Sequence, residues 1–121
     1  MSEHTRRGTS LGPPERYLIE QWGRMLHEAF GETPYLVGSV ARSEPWRDVD
    51  VRLLLDADEF EHLTGDDPLR LQALNVAFSL WGQHMTGLPI DFQFQEVNAA
   101  NDEFDGVRSA LGILAGRRPD G

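Results

Sequence analysis

The segment 48–55 reads Asp-Val-Asp-Val-Arg-Leu-Leu-Leu, and its alternation of charged and apolar residues predicts a β-strand with one buried face. Alternate side chains of a strand share a face, so Asp48 and Asp50 would project together, with Cα atoms roughly 7 Å apart. The opposite face would carry the aliphatic side chains of Val49, Val51, Leu53 and Leu55. Carboxylates gathered at one end of an apolar strand repel each other and are costly to desolvate. A hard divalent cation, Mg²⁺ or Mn²⁺, relieves both problems, so the segment indicates metal-assisted chemistry on phosphates.

Two amphipathic helices are predicted, one on each side of this strand in the sequence. The first follows the proline pair at 13–14 and ends at Gly31. Its apolar residues recur at helical spacing: Leu18, Trp22, Met25, Leu26 and Ala29. The second has Asp67 as N-cap, Pro68 at the first helical position and Gly87 at its end. Its apolar stripe comprises Leu71, Leu74, Phe78, Trp81 and Met85.

Two further strands complete a small sheet. Residues 34–37 form a short apolar run, and residues 88–95 alternate. One face of the second strand would carry Ile90, Phe92 and Phe94, and the other Asp91, Gln93 and Gln95. Helices with a single apolar stripe need a sheet to cover. The pattern therefore predicts an α/β (α+β) fold, a small mixed sheet flanked by helices.

The remaining segments are predicted to be connections and termini. Residues 40–47 contain a proline and form a loop with room for one helical turn, and residues 56–61 form an acidic surface connection. Residues 96–121 form a partly ordered tail that closes against the sheet. These boundaries give a flexible lead-in at 1–12, a single domain at 13–114 and a flexible tail at 115–121.

Composition narrows the classes of function. The chain of 121 residues has no cysteine, which excludes disulfides and thiolate metal sites. Its net charge of −9 argues against sequence-independent binding to duplex nucleic acid, which needs clustered basic groups. No apolar run approaches the roughly 20 residues that span a bilayer, and no signal peptide is evident, so we expect a cytoplasmic protein without membrane contact. All 11 basic residues are arginine, so arginine, metal and backbone N–H groups would have to hold any triphosphate.

Two other parts of the sequence, Asp91 and the Gly38-Ser39 turn, support a functional role for Asp48 and Asp50. If the strands of Asp50 and Asp91 are neighbours, three carboxylates converge on one face of the sheet. The Gly38-Ser39 turn would lie at the end of the first strand, where a glycine lets backbone N–H groups approach an anion closely. A phosphate cradle beside an acidic cation site is the equipment of phosphoryl or nucleotidyl transfer.

Gly38-Ser39, then Asp48-Val49-Asp50, then Asp91 between apolar residues resembles the signature of the nucleotidyltransferase superfamily that includes DNA polymerase beta. The stretch 37–42, Val-Gly-Ser-Val-Ala-Arg, is particularly similar to the minimal nucleotidyltransferases of prokaryotes. The resemblance covers roughly residues 35–95. It implies that the three acids bind two divalent cations, that Asp91 activates the attacking hydroxyl, and that Ser39 and the backbone near it hold the triphosphate.

Three features depart from that pattern: a short loop of eight residues before the acid pair, Ser43 in place of a second glycine, and Arg47 before the first acid. Arg42 and Arg47 are candidate nucleotide contacts, although Arg42 is as readily a surface residue. Arg47 is either a phosphate clamp or the ion-pair partner of Asp91 or Glu44. Arg52 shares the face of the acids by alternation and either contacts substrate or simply neutralises them. Arg108 either reaches back to a phosphate or lies in a solvated tail.

The leading hypothesis is a nucleotidyltransferase that moves a nucleoside monophosphate from an NTP, with ATP the expected donor, to an acceptor on another molecule or an oligomer partner. In minimal family members that acceptor is sometimes a side chain of a partner toxin, which suggests a toxin–antitoxin role by analogy. The alternative is a nucleotidyltransferase-like module that binds a nucleotide or a partner without turnover. A purely structural α/β protein would require the three acids to be coincidental.

Overall fold

A computed structural model of the chain describes residues 11–103 and 108–112. Within these residues the fold is mixed α/β, as the sequence predicts, and it contains five helices and four strands, more than the two amphipathic helices and three strands expected. The elements in chain order are α1 (Glu15–Phe30), β1 (Pro34–Val37), α2 (Gly38–Ala41), β2 (Val49–Leu55), α3 (Ala57–Thr64), α4 (Pro68–Thr86), β3 (Ile90–Glu96), α5 (Val97–Glu103) and β4 (Ser109–Ala110). Of the lead-in predicted at 1–12, only residues 11 and 12 are described, and Leu11 is buried in the core. The tail predicted at 115–121 lies outside the described residues, so the proposed domain limits stay a prediction.

The long helices begin and end where the sequence predicts. Gly31 and Gly87 follow α1 and α4 in left-handed conformations, each with φ of 73°, and their N–H groups bond to carbonyls of the last turns. The Asp67 side chain caps α4 by accepting a hydrogen bond of 2.9 Å from the N–H of Leu69. Helix α2 is a single turn that begins at Gly38, before the loop predicted at 40–47, and it overlaps that loop only at residues 40 and 41.

Residues 56–61 are acidic and mostly exposed, as predicted, but they open helix α3 and are not an irregular connection. The Asp56 carboxylate accepts a hydrogen bond of 2.8 Å from the N–H of Glu59 and so caps the helix. Asp58 and Glu59 lie in the first turn, where negative charge interacts favourably with the helix dipole. The acids that suggested a solvated connection are therefore the start of a helix.

The four strands form one mixed sheet in the order β3-β2-β1-β4. Strands β1 and β2 pair antiparallel, whereas β2 and β3 pair parallel, with α3 and α4 between them in the chain. Strand β4 pairs antiparallel with β1, and the N–H of Gly112 donates to the buried Glu20 carboxylate at 2.7 Å. Residues 109–112 thus close against the sheet, as predicted for this part of the tail.

One face of the sheet carries the hydrophobic core. The apolar side chains predicted for it are all buried: Val49, Val51, Leu53, Leu55, Ile90, Phe92 and Phe94. Helices α1 and α4 cover them with an aromatic cluster in which Phe92 lies 5.8 Å from Trp22 and 5.4 Å from Phe78, measured between ring centroids. The core therefore joins α1, α4 and the central strands in one layered packing.

The stripe predicted for α1 needs a correction. Met25 is 46% exposed and Ala29 is also exposed, whereas Ile19 is fully buried. The buried side of the helix includes Gly23, where an added Cβ would lie 2.7 Å from the Cβ of Leu111. Residues 111 and 112 therefore pack closely against this side of α1.

Polar side chains of α4 bond to the outer edge of β3. Ser79 Oγ accepts a hydrogen bond of 2.8 Å from the N–H of Phe92, and the Asn75 side chain accepts one of 2.9 Å from the N–H of Phe94. The Gln83 amide donates to the carbonyl of Ile90 at 3.0 Å. These three residues recur every four positions and form one row along the helix. No helix in the described part of the chain has the length and hydrophobicity needed to cross a membrane.

Candidate functional site

Asp50 and Asp91 are brought together by strand pairing. They are direct partners in the parallel register of β2 and β3. Both project from the sheet face opposite the core, with side chains 29% and 46% exposed. The predicted convergence of these two acids on one face of neighbouring strands is therefore present.

Asp48 lies just outside the strand. Strand β2 begins at Val49, whose N–H donates to the carbonyl of Pro89 at 2.9 Å, so the predicted start was one residue too early. Asp48 is exposed and, together with Asp91, borders a cavity of about 630 Å³ between α4 and β3. The structure thus gives a close Asp50–Asp91 pair, with Asp48 at the rim of the same region.

The Gly38-Ser39 turn packs directly against the acid pair. Val37, the last residue of β1, is the register partner of Asp50. Gly38 has φ of 72°, a backbone conformation that favours glycine. A Cβ at this position would lie only 2.8 Å from Asp50 Oδ2. Glycine is therefore needed here both for the turn and for the close approach of the acid.

Ser43, in the loop between α2 and β2, has an unusual backbone conformation. It adopts φ of 57°, in the left-handed region that glycine enters without cost. Ser39 is half-buried and its carbonyl accepts a hydrogen bond of 3.0 Å from the N–H of Glu44, which ties the two ends of the loop together.

The arginines divide into exposed and buried groups. Arg42 is exposed and pairs with Glu44 at 3.3 Å, and Arg47 is also exposed in the loop before β2. Two acids were suggested as partners of Arg47. Glu44 forms an ion pair with Arg42, and Asp91 forms one with Arg52. Arg42 is therefore engaged with Glu44, and both arginines lie at the exposed surface before β2.

Arg52 lies beneath the acids, as strand alternation predicts. It is 5% exposed, and its Nη2 atom lies 4.0 Å from Asp50 Oδ1 and 3.8 Å from Asp91 Oδ2. Its Nη1 atom donates to the carbonyl of Asp91 at 2.7 Å and to that of Val51 at 3.0 Å. Arg108, in contrast, donates to the Asn101 side chain at 2.6 Å near the surface.

The Asp50 carboxyl has a perturbed pKa. Burial raises this pKa above its ordinary value, the positive charge of Arg52 lowers it, and the negative charges of Asp91 and Asp48 raise it again. A hydrogen bond with the Asp91 side chain also favours the protonated form of Asp50. The net direction is upward, so the carboxylate form of Asp50 is held at an energetic cost.

Asp50 and Asp91 supply carboxylate oxygens, the donor type that Mg²⁺ and Mn²⁺ prefer. A cation beside them would offset the burial and the repulsion that together raise the pKa of Asp50. Asp48 is close enough to influence Asp50 electrostatically. Among residues 11–103 and 108–112, however, no three acidic or histidine side chains are gathered closely enough to hold a metal ion. Two of the three predicted ligands are therefore adjacent, and the described residues do not assemble the predicted three-acid metal site.

Sequence reasoning missed the wall of the adjoining cavity. Gln72, Asn75 and Gln83 of α4 line it, opposite Asp91 and Gln93 of β3. A signal was present in the polar row at positions 75, 79 and 83, which has helical spacing beside the apolar stripe. Only the packing of α4 against the edge of β3 shows that this row borders the acids.

Comparisons of the chain with protein-family models, with curated proteins and with solved structures find no match. The resemblance to nucleotidyltransferases accordingly stays a prediction that rests on the residues quoted for it.

Proposed function

We propose that the protein is a metal-dependent nucleotidyltransferase that transfers a nucleoside monophosphate from an NTP, with ATP the expected donor, to an acceptor hydroxyl. The observation that carries the proposal is the packing of Gly38 against Asp50, which is in turn the register partner of Asp91. A turn able to approach a phosphate closely thus adjoins a pair of carboxylates suited to a divalent cation.

The chain's own residues would bind and orient the reactants. The Gly38-Ser39 backbone and the Ser39 hydroxyl would donate hydrogen bonds to the triphosphate, and Arg42 and Arg47 would neutralise its charge from the exposed loop. Asp50 and Asp91, with Asp48 at the rim, would hold the Mg²⁺ or Mn²⁺. A cation held by these acids would stabilise charge at the phosphates and would acidify the acceptor hydroxyl.

The transfer itself is an in-line displacement. The acceptor oxygen forms a bond to the α-phosphorus while the bond to the pyrophosphate oxygen breaks, and Asp91 is the candidate to receive the hydroxyl proton. Asp91 borders the cavity between α4 and β3, through which an acceptor could reach it. By analogy with minimal nucleotidyltransferases, that acceptor is a side chain of a partner protein in the cytoplasm, in a toxin–antitoxin pair.

The test is transfer of label from α-³²P-ATP, with Mg²⁺ or Mn²⁺, to proteins of a lysate or to a co-purified partner. Asp50→Asn and Asp91→Asn should reduce labelling by more than the roughly 10- to 100-fold that loss of an outer partner of a metal site costs. Glu61→Gln, which removes an exposed acid of α3, should leave labelling unchanged. ATP binding without labelling of any acceptor would contradict the enzymatic proposal.

A second candidate is a nucleotide- or partner-binding module without turnover. Two observations favour it: Arg52 already pairs with both acids, and the described residues contain no gathered set of three metal ligands. This candidate predicts that ATP binds with a measurable heat in calorimetry and that binding weakens in Gly38→Ala. Transfer of label would contradict it.

A further inference from the structure

Helix α4 has an outer face that is apolar and uncovered. Leu69, Val76 and Leu80 are 74%, 52% and 58% exposed, although the opposite face of the helix already packs against the core. A helix that is apolar on both faces normally has a partner on each of them. We propose that α4 of a second copy of this chain packs antiparallel on the outer face and forms a two-fold symmetric dimer. This inference does not depend on the proposed function.

The spacing of the exposed apolar residues is complementary to itself. These residues, which we call the outer stripe, are Leu69, Ala73, Val76 and Leu80. Their intervals of four, three and four residues are those of the apolar seam between two coiled-coil helices, and they read the same in both directions. An antiparallel second helix would therefore set its Leu80 opposite Leu69. It would likewise set its Val76 opposite Ala73, which is the reciprocal pairing that a two-fold interface requires.

Side-chain size and charge favour antiparallel over parallel packing. The antiparallel pair matches the small Ala73 with the larger Val76 in both central layers, so the seam is evenly filled. Parallel packing would set two alanines opposite each other and leave that layer underfilled. It would also bring together the acids that precede the helix, Asp66 and Asp67, in both copies. In the antiparallel pair these acids lie level with His84, in the last turn of the other helix.

The charge of α4 favours a second copy as the occupant. The chain has 20 acidic residues and a net charge of −9, but none of the 19 residues of α4 is acidic. Two such chains repel each other where their acidic surfaces meet, so they approach best along a surface without carboxylates. A basic partner would instead be attracted to the acidic surfaces elsewhere. The outer stripe therefore suits another molecule that is itself acidic.

The dimer would also cover part of the cavity between α4 and β3. Val76 and Leu80 belong to the outer stripe and also line this cavity, which Asp91 borders. A second α4 over these two side chains would narrow the outer opening of the cavity. The second copy would thus contribute to the surroundings of the acid.

The first experiment measures the mass of the full chain by sedimentation velocity at rising concentration. One pair of helices buries less than the roughly 800 Å² per partner of a standard interface, so we expect a weak dimer in exchange with monomer. Val76→Glu places a charge in the seam and should weaken the association at least about tenfold. Met25→Glu is the matched control, because it adds the same charge at an exposed apolar position of α1 and should leave the dimer intact.

The second experiment tests the orientation by disulfide cross-linking, which is simple because the chain has no cysteine. An equimolar mixture of Leu69→Cys and Leu80→Cys should cross-link on oxidation with copper phenanthroline. Each variant alone should not, because equivalent residues would lie roughly 16 Å apart along the antiparallel helices. A disulfide needs Cα atoms within about 7 Å.

Three results would overturn the proposal. A wild-type chain that stays monomeric at all concentrations would exclude the second copy and leave the outer stripe to a different protein. A dimer that persists in Val76→Glu, with circular dichroism showing the variant to be folded, would place the interface elsewhere. Cross-linking of Leu69→Cys alone would show parallel packing. None of these results bears on the proposed nucleotidyl transfer, which the labelling experiment tests separately.

Discussion

The two faces of strand β2 differ in what they contribute to the protein. One face carries Val49, Val51, Leu53 and Leu55, which are at most 3% exposed under α1 and α4. The other carries Asp50 and Arg52 beside Asp91, with charged groups partly removed from water. Apolar burial stabilises the first face without any special partner, whereas the second holds like charges together at a cost. A single strand thus separates the apolar groups that stabilise the fold from charged groups that are held together at a cost.

The largest effect should come from the covered face. Phe92→Ala removes a fully buried ring in contact with Trp22 and Phe78, so we expect a loss of about 3–5 kcal/mol in the free energy of unfolding. Chemical denaturation monitored by circular dichroism measures it. Phe92→Leu, which retains most of the apolar volume, should cost less. If Phe92→Ala lowered the free energy of unfolding by less than substitutions on the acid-bearing face do, the proposed division between the two faces would be contradicted.

A paired glycine test sharpens the comparison at the acid-bearing face. Gly38 and Gly31 have nearly equal φ, 72° and 73°, but a Cβ would meet Asp50 only at Gly38 and nothing within 4 Å at Gly31. Each change to alanine should cost about 1–2 kcal/mol for the left-handed conformation. Gly38→Ala should cost more, because the Asp50 carboxylate must also move. If both variants lost the same free energy of unfolding relative to wild type, Gly38 would not pack tightly against Asp50.

The third prediction concerns the outer edge of β3, where side chains of α4 bond to the strand backbone. Ser79→Ala removes the hydroxyl that accepts from the N–H of Phe92, and an unsatisfied buried donor costs about 1–3 kcal/mol. Gln72→Ala, an exposed change on the same helix, should stay within about 0.5 kcal/mol of wild type. Denaturation gives the stability change, and amide hydrogen exchange at Phe92 should quicken. Unchanged exchange there would indicate that another group satisfies this N–H.

The smallest effect should have the opposite sign. In metal-free protein the raised pKa of Asp50 means that the folded state gives up its proton less readily than the unfolded state. Ionised Asp50 therefore destabilises the folded state. This destabilisation is absent below the pKa that Asp50 has in the unfolded chain, and it grows as pH rises through the pKa that Asp50 has in the folded chain. Asp50→Asn should therefore raise the unfolding midpoint at pH 7 in the presence of a chelator, and the gain should shrink as pH falls towards 4.

Glu61→Gln is the control for this pH dependence, because it removes an exposed acid on another helix. It should leave the difference between pH 7 and pH 4 close to that of wild type. A midpoint for Asp50→Asn below wild type at pH 7 would show that the carboxylate is stabilising and that the acid-bearing face carries no electrostatic cost.

The fold was predictable where local signals are strong. Strand β1 has the predicted limits, and α4 begins and ends at its predicted caps, because proline, aspartate and glycine act through local backbone geometry. Helix α3 was missed because only Phe60 and Leu63 of its eight residues pack against the core. Strand β4 is two residues long and depends on pairing with β1, a long-range contact that leaves no local pattern.

The candidate site was predictable to the level of faces but not of distances. Alternation placed Asp50, Asp91 and Arg52 correctly on one side of the sheet. The parallel register that opposes Asp50 to Asp91 depends on how α3 and α4 return the chain, which no short window of sequence contains. The same holds for the position of Asp48 before the strand and for the anchoring of Arg52 by backbone carbonyls.

The row of polar side chains from α4 along β3 has a consequence for how this protein meets other molecules. An exposed strand edge is a template on which other chains can add strands, which leads to aggregation or to partner binding by strand addition. Asn75, Ser79 and Gln83 occupy the N–H and carbonyl groups that such a strand would need. At the opposite end, β4 offers only two residues. Growth of this sheet by a foreign strand is therefore disfavoured at β3, and recognition there has to proceed through side chains.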